Sequence, residues 1–229
     1  MPRLGKGRSV YLTADEIARE ALHQFDVGRR PLSMRQLAAA LGVGAPALYH
    51  YFPTESHVIR AALQLVFEEA IVEALEIVGD PLAGPVDPEV LLTGVALAVY
   101  RAFDRHYRIA PHMAMAPEAT SRLAGVLTIL GSAMEQLGAS GPSAAASLSA
   151  YGNYVYGSVV IGATRRIDDE RFQHAAGEPF STTSVRPADA PPIGEDTAEA
   201  VDRLLARGVE EEAFLTGLRV VIAGIRAAP

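Results

Sequence analysis

Near the start of the chain, apolar residues recur every three to four positions, which is the period of a helix with one buried face. Thr13 to Glu16 have the pattern of a capping box, in which the first and fourth side chains bond each other's backbone N–H groups. The apolar stripe that follows ends at Phe25, and Gly28 suits a helix C-terminus. The pattern therefore predicts a first helix between residues 13 and 28.

Two short helices are predicted next. Ser33 opens a second capping-box pattern, and its helix is expected to end at Gly42. A glycine-rich turn leads to a third helix, which Pro46 can begin and Pro53 ends. Two short helices joined by a tight turn form a helix-turn-helix unit, whose second helix can enter the major groove of DNA. The expected buried face of the unit consists of Leu37, Ala38, Leu41, Val43 and Leu48.

The remainder of the chain also has helical periodicity. Thr54 is placed to cap a long fourth helix whose apolar stripe reaches Val78. The polar, proline-rich segment 168–195 predicts a largely irregular, mobile loop. No segment has the two-residue period of a strand, so the predicted fold is all-α, with domains at 1–53 and 54–229. Further helices are expected near residues 88–106, 118–138, 143–165 and 196–226.

Composition narrows the classes of function. The 229 residues include no cysteine, which excludes thiol catalysis, disulfides and cysteine-based zinc sites. The net charge is −7, yet residues 1–52 carry seven Lys/Arg against four Asp/Glu, so this segment is +3 and the remainder −10. A basic head on an acidic body directs one end toward phosphates. Because no signal peptide is visible and cysteine is absent, we expect a cytoplasmic location.

We expect neither enzyme activity nor a cofactor. The chain contains no GxSxG, P-loop, GxGxxG or HExxH motif. Glu170 and His174 lie four residues apart and could hold a metal on a helix, but their polar surroundings favour a solvated charge run. Another alternative is an adaptor whose helix-turn-helix no longer binds DNA, and the acidic Glu55 favours it.

The stretch LSMRQLAAALGVGAPALYHYFPTESHVI resembles the signature of TetR-family DNA-binding domains, and the likeness covers residues 10–60. The shared pattern is a capped short helix, then LAxxLGV, then a proline-led helix with LYxYF. The resemblance implies a homodimeric transcriptional repressor that binds palindromic double-stranded operator DNA until a small molecule releases it. The residues whose family counterparts contact DNA are Arg35, Ala45, Pro46, Ala47, Tyr49, His50 and Tyr51.

The resemblance gives these residues different roles. The counterpart of Arg35 reaches a guanine edge, those of residues 45–47 touch bases, and those of residues 49–51 hold phosphates or flank the groove. Each role has an alternative. Arg35 can belong to a solvated face, Tyr49 to the core, and the imidazole of His50 can pack, bind a base or do neither.

Two features beside the head leave alternatives open. The basic arm with Arg3, Lys6 and Arg8 is either a solubilising tail or a contact to phosphates or the minor groove. The family often has lysine where this chain has Glu55, whose charge repels phosphate. Glu55 therefore allows two readings. Either the phosphate contact at the start of the fourth helix is weaker or is rebuilt from His57, or Glu55 only stabilises the helix end.

Two later stretches resemble the C-terminal domain of the tetracycline repressors: AYGNYVYGSVVIGA at 150–163 and EEEAFLTGLRVVIAGI at 210–225. The resemblance implies that 54–229 is a ligand-binding and dimerisation domain, in which helices 143–165 and 196–226 pair with those of a second copy. Glycines in these helices either allow that close approach or serve packing within one chain. They are Gly152, Gly157, Gly162, Gly217 and Gly224.

Family members hold a hydrophobic effector between the fourth helix and the body. Met and aromatic residues at helical spacing are typical of such a site and also of plain core. The candidates here are Phe67, Ile71, Tyr100, Phe103, His112, Met113, Met115, Leu130, Met134, Asn153 and Tyr156.

His112 matches the histidine that binds drug-chelated magnesium in the tetracycline-binding proteins. Ile161 and Met115 stand where the resemblance places oxygen-bearing side chains, and Mg²⁺ prefers oxygen ligands. We therefore expect no metal site and an apolar, aromatic or polyketide-like effector. His112 then either hydrogen-bonds that effector or is a core histidine.

Overall fold

The computed structural model describes residues 12–28, 32–115, 121–176, 194–197 and 210–227. Every regular element within these ranges is a helix, which confirms the predicted all-α class. The elements are α1 (Ala14–Asp26), α2 (Met34–Ala40), α3 (Ala45–Tyr51), α4 (Glu55–Val78), α5 (Pro88–Arg105), a 3-10 helix (Ala110–Met115), α6 (Ser121–Gln136), α7 (Pro142–Ala176) and α8 (Glu211–Ala227). Outside the described residues lie the basic arm with Arg3, Lys6 and Arg8, and residues 198–209 of the last predicted helix.

The capping box of α1 is confirmed. Thr13 Oγ1 accepts a hydrogen bond from Glu16 N at 3.1 Å, and Thr13 N donates to Glu16 Oε2 at 2.8 Å. The capping box predicted at Ser33 is wrong, because the Ser33 side chain makes no capping bond and only its carbonyl accepts from Leu37 N. The neutral amide of Gln36 is a weaker partner for an N-terminal N–H than the carboxylate at the first box.

Thr54 is the N-cap residue of α4, as predicted, but its side chain does not cap the helix. Thr54 Oγ1 instead lies 2.8 Å from His57 Nδ1. The two side chains therefore satisfy each other, and α4 begins without a side-chain bond to its free N–H groups.

Two clusters of buried side chains join the helices. The first begins in the head, where Ile17, Leu37 and Leu48 are fully buried against α4, and it continues to α5 and α7. The second joins α5 to α8, with Met134 and Phe214 fully buried. Because α4 supplies buried residues from Val58 to Ala74, it is the helix on which the small N-terminal unit rests.

Helix α7 is longer than the sequence pattern indicated. We expected it to end near residue 165 and the segment 168–195 to be irregular, but α7 continues to Ala176, so this part of the prediction is wrong. Ile167 is buried, and Glu170 accepts hydrogen bonds from Arg108 and Tyr107. These tertiary contacts give the polar end of the helix partners that its own sequence does not show. Residues 177–193 of the predicted loop lie outside the described part.

Among the described helices, none is both long and apolar enough to cross a membrane.

Candidate functional site

Helices α2 and α3 are joined by a tight turn over residues 41–44. Val43 N donates to Ala38 O at 2.9 Å, and Gly42 has φ of +69°, a value that favours glycine. Leu48 on α3 is fully buried in the first cluster. These contacts fix one face of α3 on the head and leave its other face toward solvent.

The side chains predicted to contact DNA are exposed to solvent, with one exception. Pro46, Ala47, His50 and Arg35 are exposed, and Tyr49 and Tyr51 are exposed over 52% and 40% of their surface. Tyr49 is therefore not a core residue. Ala45 differs, because it is half-buried and packs against the first cluster. Ala45 is the first residue of α3 and follows the 41–44 turn directly, so its methyl group points toward the first cluster.

Tyr51 has a structural partner. Its hydroxyl donates a hydrogen bond to the carbonyl of Leu12, the first described residue before α1, and its ring meets His50 edge-on at 5.6 Å. Tyr51 thus ties the end of α3 to the chain that enters α1, so the position of α3 depends on that entry segment.

A cavity of about 530 Å³ lies between α4, α5, α6 and α7. Its walls are mainly apolar, with Gln64, Glu68, Asp80 and two tyrosines as the polar exceptions. Five predicted ligand residues lie on its walls: Phe67, Ile71, Met113, Leu130 and Tyr156.

Other predicted ligand residues lie elsewhere. Tyr100 stacks on Phe214 with ring centroids 4.5 Å apart, in the second cluster, and burial raises its pKa to about 12. Phe103 meets Phe67 edge-on at 5.1 Å, behind the wall. Met134 is fully buried core. Tyr100, Phe103 and Met134 have the same apolar character and helical periodicity as the residues of the wall. Only the packing of the helices decides which apolar side chains meet the cavity.

Three further predictions concern polar or flexible residues. His112 does not line the cavity; its ring meets Phe25 of α1 edge-on at 5.2 Å. Asn153 is exposed on α7 and is not among the residues that line the cavity. The side chain of Met115 lies outside the described part of the chain. The prediction that His112 or Asn153 contacts a ligand therefore has no support from the position of the cavity.

Sequence reasoning missed most of the wall. On α4, the wall residues form a second row at helical spacing, next to the row of buried residues. That second row was the signal in the sequence that could have identified the wall. Tyr151 was also missed; its hydroxyl donates to Leu92 O at 2.6 Å, and burial raises its pKa. The missed wall residues are Gln64, Glu68, Ala70, Ala74, Leu75, Val78, Asp80, Pro81, Leu82, Leu91, Val95, Ala96, Val99, Val126, Leu127, Ile129, Leu148, Tyr151, Gly152 and Val155.

The C-terminal end of α1 is fastened to the body beside this cavity. His106, just after α5, bonds Asp26 of α1 and Glu69 of α4. Arg108 donates to the main-chain oxygen of Asp26 at 2.8 Å and to Glu170 of α7 at 2.7 Å. The segment that carries these residues continues into the 3-10 helix, whose Met113 lines the cavity. One segment therefore touches the cavity, α1 and α7.

The five glycines of α7 and α8 have different surroundings. A Cβ at Gly217 would overlap the Tyr154 hydroxyl of the same chain, so this glycine allows α8 to approach α7 within one molecule. Gly152 lies on the cavity wall, and Gly162 faces a cleft beside α5. A Cβ at Gly157 or Gly224 would meet no described atom within 4 Å.

Two family models match the chain. The model described as "Bacterial regulatory proteins, tetR family" matches residues 17–62. The model described as "Tetracyclin repressor-like, C-terminal domain" matches residues 89–228, more than half of the chain. No match was found among curated proteins.

Solved structures share the fold over nearly the whole chain. The transcriptional regulator SCO7222, a TetR from Streptomyces coelicolor, is 25% identical with a TM-score of 0.68, covering 94% of this chain and 98% of that one. A variant of TetR from Acinetobacter baumannii AYE in complex with minocycline is 22% identical with a TM-score of 0.65, covering 94% and 97%. ActR from Streptomyces coelicolor in complex with (S)-DNPA is 19% identical with a TM-score of 0.61, covering 94% and 98%.

Regulators of this family are DNA-binding proteins, typically ligand-responsive repressors, and in general they are not enzymes. The exposed α3 and the apolar cavity agree with such a protein. From the two matching models, the chain belongs to the tetR family of bacterial transcriptional regulators and has a tetracyclin repressor-like C-terminal domain.

Proposed function

We propose that this protein is a homodimeric repressor that binds a palindromic operator and is released by a small hydrophobic effector. The observation that carries the proposal is that α4 both packs against the head and forms part of the cavity wall. Its buried residues hold the head, and Phe67, Ile71 and Val78 on the same helix line a cavity of about 530 Å³. Residues 1–53 would act as the DNA-binding domain and 54–229 as the ligand-binding and dimerisation domain. Binding to chromosomal DNA would place the protein in the cytoplasm.

The DNA contacts follow from the exposed face of α3. Pro46 and Ala47 would touch bases and Tyr49 a phosphate, because these side chains project to solvent from a helix held by Leu48. Arg35 on α2 would reach a guanine edge beside them. Ala45, His50 and Tyr51 complete the proposed surface, with smaller contributions from Ala45, which is half-buried, and Tyr51, which bonds Leu12.

The dimer would form through α7 and α8. Ile161 on α7 and Val220 on α8 are exposed over 51% and 70% of their surface, and a second copy packed on these helices would bury them. Gly157 and Gly224 have open space around them, as close helix contact between two copies requires. Twin reading helices about 34 Å apart would then fit successive major grooves of an inverted repeat.

Release requires only a modest energetic bias. An effector that fits the cavity better when the two heads are spread moves the population away from the spacing that fits DNA. Tenfold derepression corresponds to about 1.4 kcal/mol of differential affinity between the two arrangements. Two attachments would transmit the change: α4 itself, and the segment from His106 to Met113 that contacts both α1 and the cavity.

The proposal is tested by selecting duplexes from a random pool with the purified protein and measuring their affinity at several salt concentrations. We expect an inverted repeat, a dimer by light scattering, and affinity that falls with salt. Arg35→Ala should reduce discrimination between operator variants at one position by about 1–3 kcal/mol. The matched control is Arg171→Ala, since Arg171 is an exposed arginine of α7 that pairs with Asp168.

Ala47→Glu should abolish retention of the selected duplex while helicity and dimer mass stay unchanged, because the new carboxylate would face the DNA. The control is Gln136→Glu, which adds the same charge at an exposed position of α6. A stable monomer with no preference for any inverted repeat would contradict the proposal and favour an adaptor that does not bind DNA.

A further inference from the structure

We infer that the cavity binds a long, narrow molecule whose main part is an unbranched hydrocarbon chain. The inference deepens the proposed function and rests on it for one point, namely that the bound molecule acts as the effector. It adds a length and a width, which an apolar wall alone does not specify.

The length follows from the run of wall residues along α4. They extend from Gln64 to Val78, and fourteen residues of helix span about 21 Å. Beyond the end of α4 the wall continues to Leu82. A single helix therefore borders the cavity over about four turns.

Helix α5 borders the same stretch in the opposite direction. A Cβ at Gly94 of α5 would overlap Val78 at the end of α4, whereas Phe103, later in α5, meets Phe67 near the start of α4. These two contacts fix the alignment of the helices. They place Val99, which lines the cavity from α5, opposite the middle of the α4 wall.

The width follows from the volume. A cavity of about 530 Å³ that extends over about 21 Å has a mean cross-section of about 25 Å². Carbon atoms in contact lie about 4 Å apart, so one extended alkyl chain needs a cross-section of about 20 Å². A fused-ring system lying along α4 needs room for at least two rows of atoms side by side. The dimensions therefore fit a single chain.

The polar groups that α4 and the following residues contribute to the wall lie toward its ends. At one end Gln64 Nε2 donates to Glu68 Oε1 at 3.1 Å, and at the other Asp80 Oδ1 accepts from Leu82 N at 2.9 Å. Between them, the wall residues from 70 to 78 are all apolar. A hydrocarbon chain fits this arrangement, because a polar atom in the middle of the ligand would lose its hydration without gaining a partner there.

The bound chain would also cover apolar surface that is now exposed. Leu75, Leu127 and Tyr156 line the cavity from three different helices and are exposed over 44%, 39% and 38% of their surface. Each methylene that reaches more of this wall should raise the affinity about fourfold, which corresponds to about 0.8 kcal/mol.

The test uses four unbranched alcohols as probes: n-hexanol, n-octanol, n-decanol and n-dodecanol, each below its solubility limit. Their affinities for the full-length protein are measured by calorimetry. At about 1.2 Å per bond even dodecanol spans only about 14 Å, so we expect the fourfold gain per carbon to continue through the whole series. Cyclododecanol, a ring with the same number of carbons, should bind at least about tenfold more weakly than n-dodecanol, which corresponds to about 1.4 kcal/mol.

Two variants test where the chain lies. Val99→Trp should divide the cavity near its middle, so that the gain per carbon stops at about eight carbons, because half of the length is about 10 Å. Val95 lines the cavity about 6 Å closer to the end marked by Val78. Val95→Trp should therefore leave most of the length open and preserve the gain up to dodecanol.

The matched control is Val90→Trp. Val90 belongs to the same helix, is exposed over 51% of its surface and does not line the cavity, so this variant should bind all four alcohols like wild type. Circular dichroism verifies that the three tryptophan variants keep their helicity.

The outcomes separate the inference from the proposed function. If the gain in wild type stops at eight carbons, if cyclododecanol binds as tightly as n-dodecanol, or if the Val99 and Val95 variants behave alike, the inferred shape is wrong. The effector role still stands if the alcohols that bind release the selected operator. If the expected chain-length pattern is found but no alcohol releases the operator, the shape stands and the effector role falls. If no alcohol binds to protein that retains its operator, the inference is wrong.

Discussion

His106 bridges the head and the body, with Nδ1 lying 3.0 Å from both carboxylate oxygens of Asp26. Its Nε2 lies 3.1 Å from Glu69 Oε2, so each ring nitrogen faces a carboxylate on a different helix. The residue follows directly after α5 and its side chain is 17% exposed, which places a hydrogen-bonded junction between α1 and α4 at the start of the segment from His106 to Met113.

Replacing this bridge should loosen the head without unfolding the body. His106→Gln retains a single donor group and should lower the free energy of unfolding by about 1 kcal/mol, since charged hydrogen bonds that are partly exposed contribute at that level. It should also increase hydrogen exchange at the C-terminal end of α1. The control is His23→Gln, because His23 is an exposed histidine in the last turn of α1. Equal exchange in both variants would show that His106 does not hold α1.

Gly94 permits the close approach of α5 to the end of α4. A Cβ at this position would overlap Val78 Cγ1 and lie 3.1 Å from Ile77 Cγ2. Gly94→Ala should therefore lower the free energy of unfolding by about 1–3 kcal/mol through overpacking. Gly125→Ala is the matched control in exposed helix, where nothing lies within 4 Å, and it should raise stability by up to about 1 kcal/mol. Urea unfolding measures the change in the free energy of unfolding for each variant. A Gly94→Ala variant that is more stable than wild type would contradict the close packing of α5 on the end of α4.

Gln24 is a fully buried polar residue of α1. Its Nε2 donates to Glu20 Oε1 at 3.1 Å, while its Oε1 has no hydrogen-bond partner among the described residues. A buried carbonyl without a donor costs about 1–3 kcal/mol. Gln24→Met keeps a similar length and removes this oxygen, so we expect stability to rise by about 1 kcal/mol in thermal or urea unfolding. Lower stability would mean that the oxygen binds a buried water, which Gln24→Glu would then disrupt further.

Arg101 joins α5 to α8 through a bidentate pair with Glu211, at 2.9 Å and 2.7 Å. The hydrogen bond from Arg101 lowers the pKa of the Glu211 carboxyl below its ordinary value. The pair therefore stabilises the fold above the unfolded-state pKa, and this contribution is lost as the pH falls through the folded-state pKa. Because both side chains are about 40% exposed, the contribution is a few tenths of a kcal/mol.

The measurement compares wild type with Glu211→Gln from neutral to acid pH. The difference between their unfolding free energies should shrink as the pH falls, since the wild-type carboxyl becomes neutral as well. Glu212→Gln is the control, because Glu212 is exposed and follows in the same helical turn. A difference that grows toward acid pH would have the wrong sign for this ion pair.

The head was predictable to a large extent because its signals are local. The box at Thr13 and Glu16 and the turn at Gly42 depend on residues a few positions apart, and the structure has both. The exception at Ser33 is also local, since Gln36 resembles a capping partner in sequence but forms no such bond. Whether the exposed residues of α3 bind DNA stays a prediction.

The cavity was only partly predictable. Phe67, Ile71 and Met113 lie on its walls, whereas Met134 belongs to the second cluster and Tyr100 packs against both clusters. Helical period gives a buried face, but it does not distinguish a face that meets another helix from one that meets empty space. The extra turns of α7 were missed for a related reason, because Glu170 finds Arg108 only after the chain has folded.

By itself the sequence determined most of the helices, the turn of the reading unit and the family, because these depend on neighbours along the chain or on a shared pattern. The tertiary structure alone decided which apolar stripe lines the cavity, that the described charges on its wall are acidic, and that His106 and Arg108 fasten α1 to the body. The reason is physical. Capping and helical period act over one or two turns, whereas packing, cavities and ion pairs depend on distances between residues far apart in the chain.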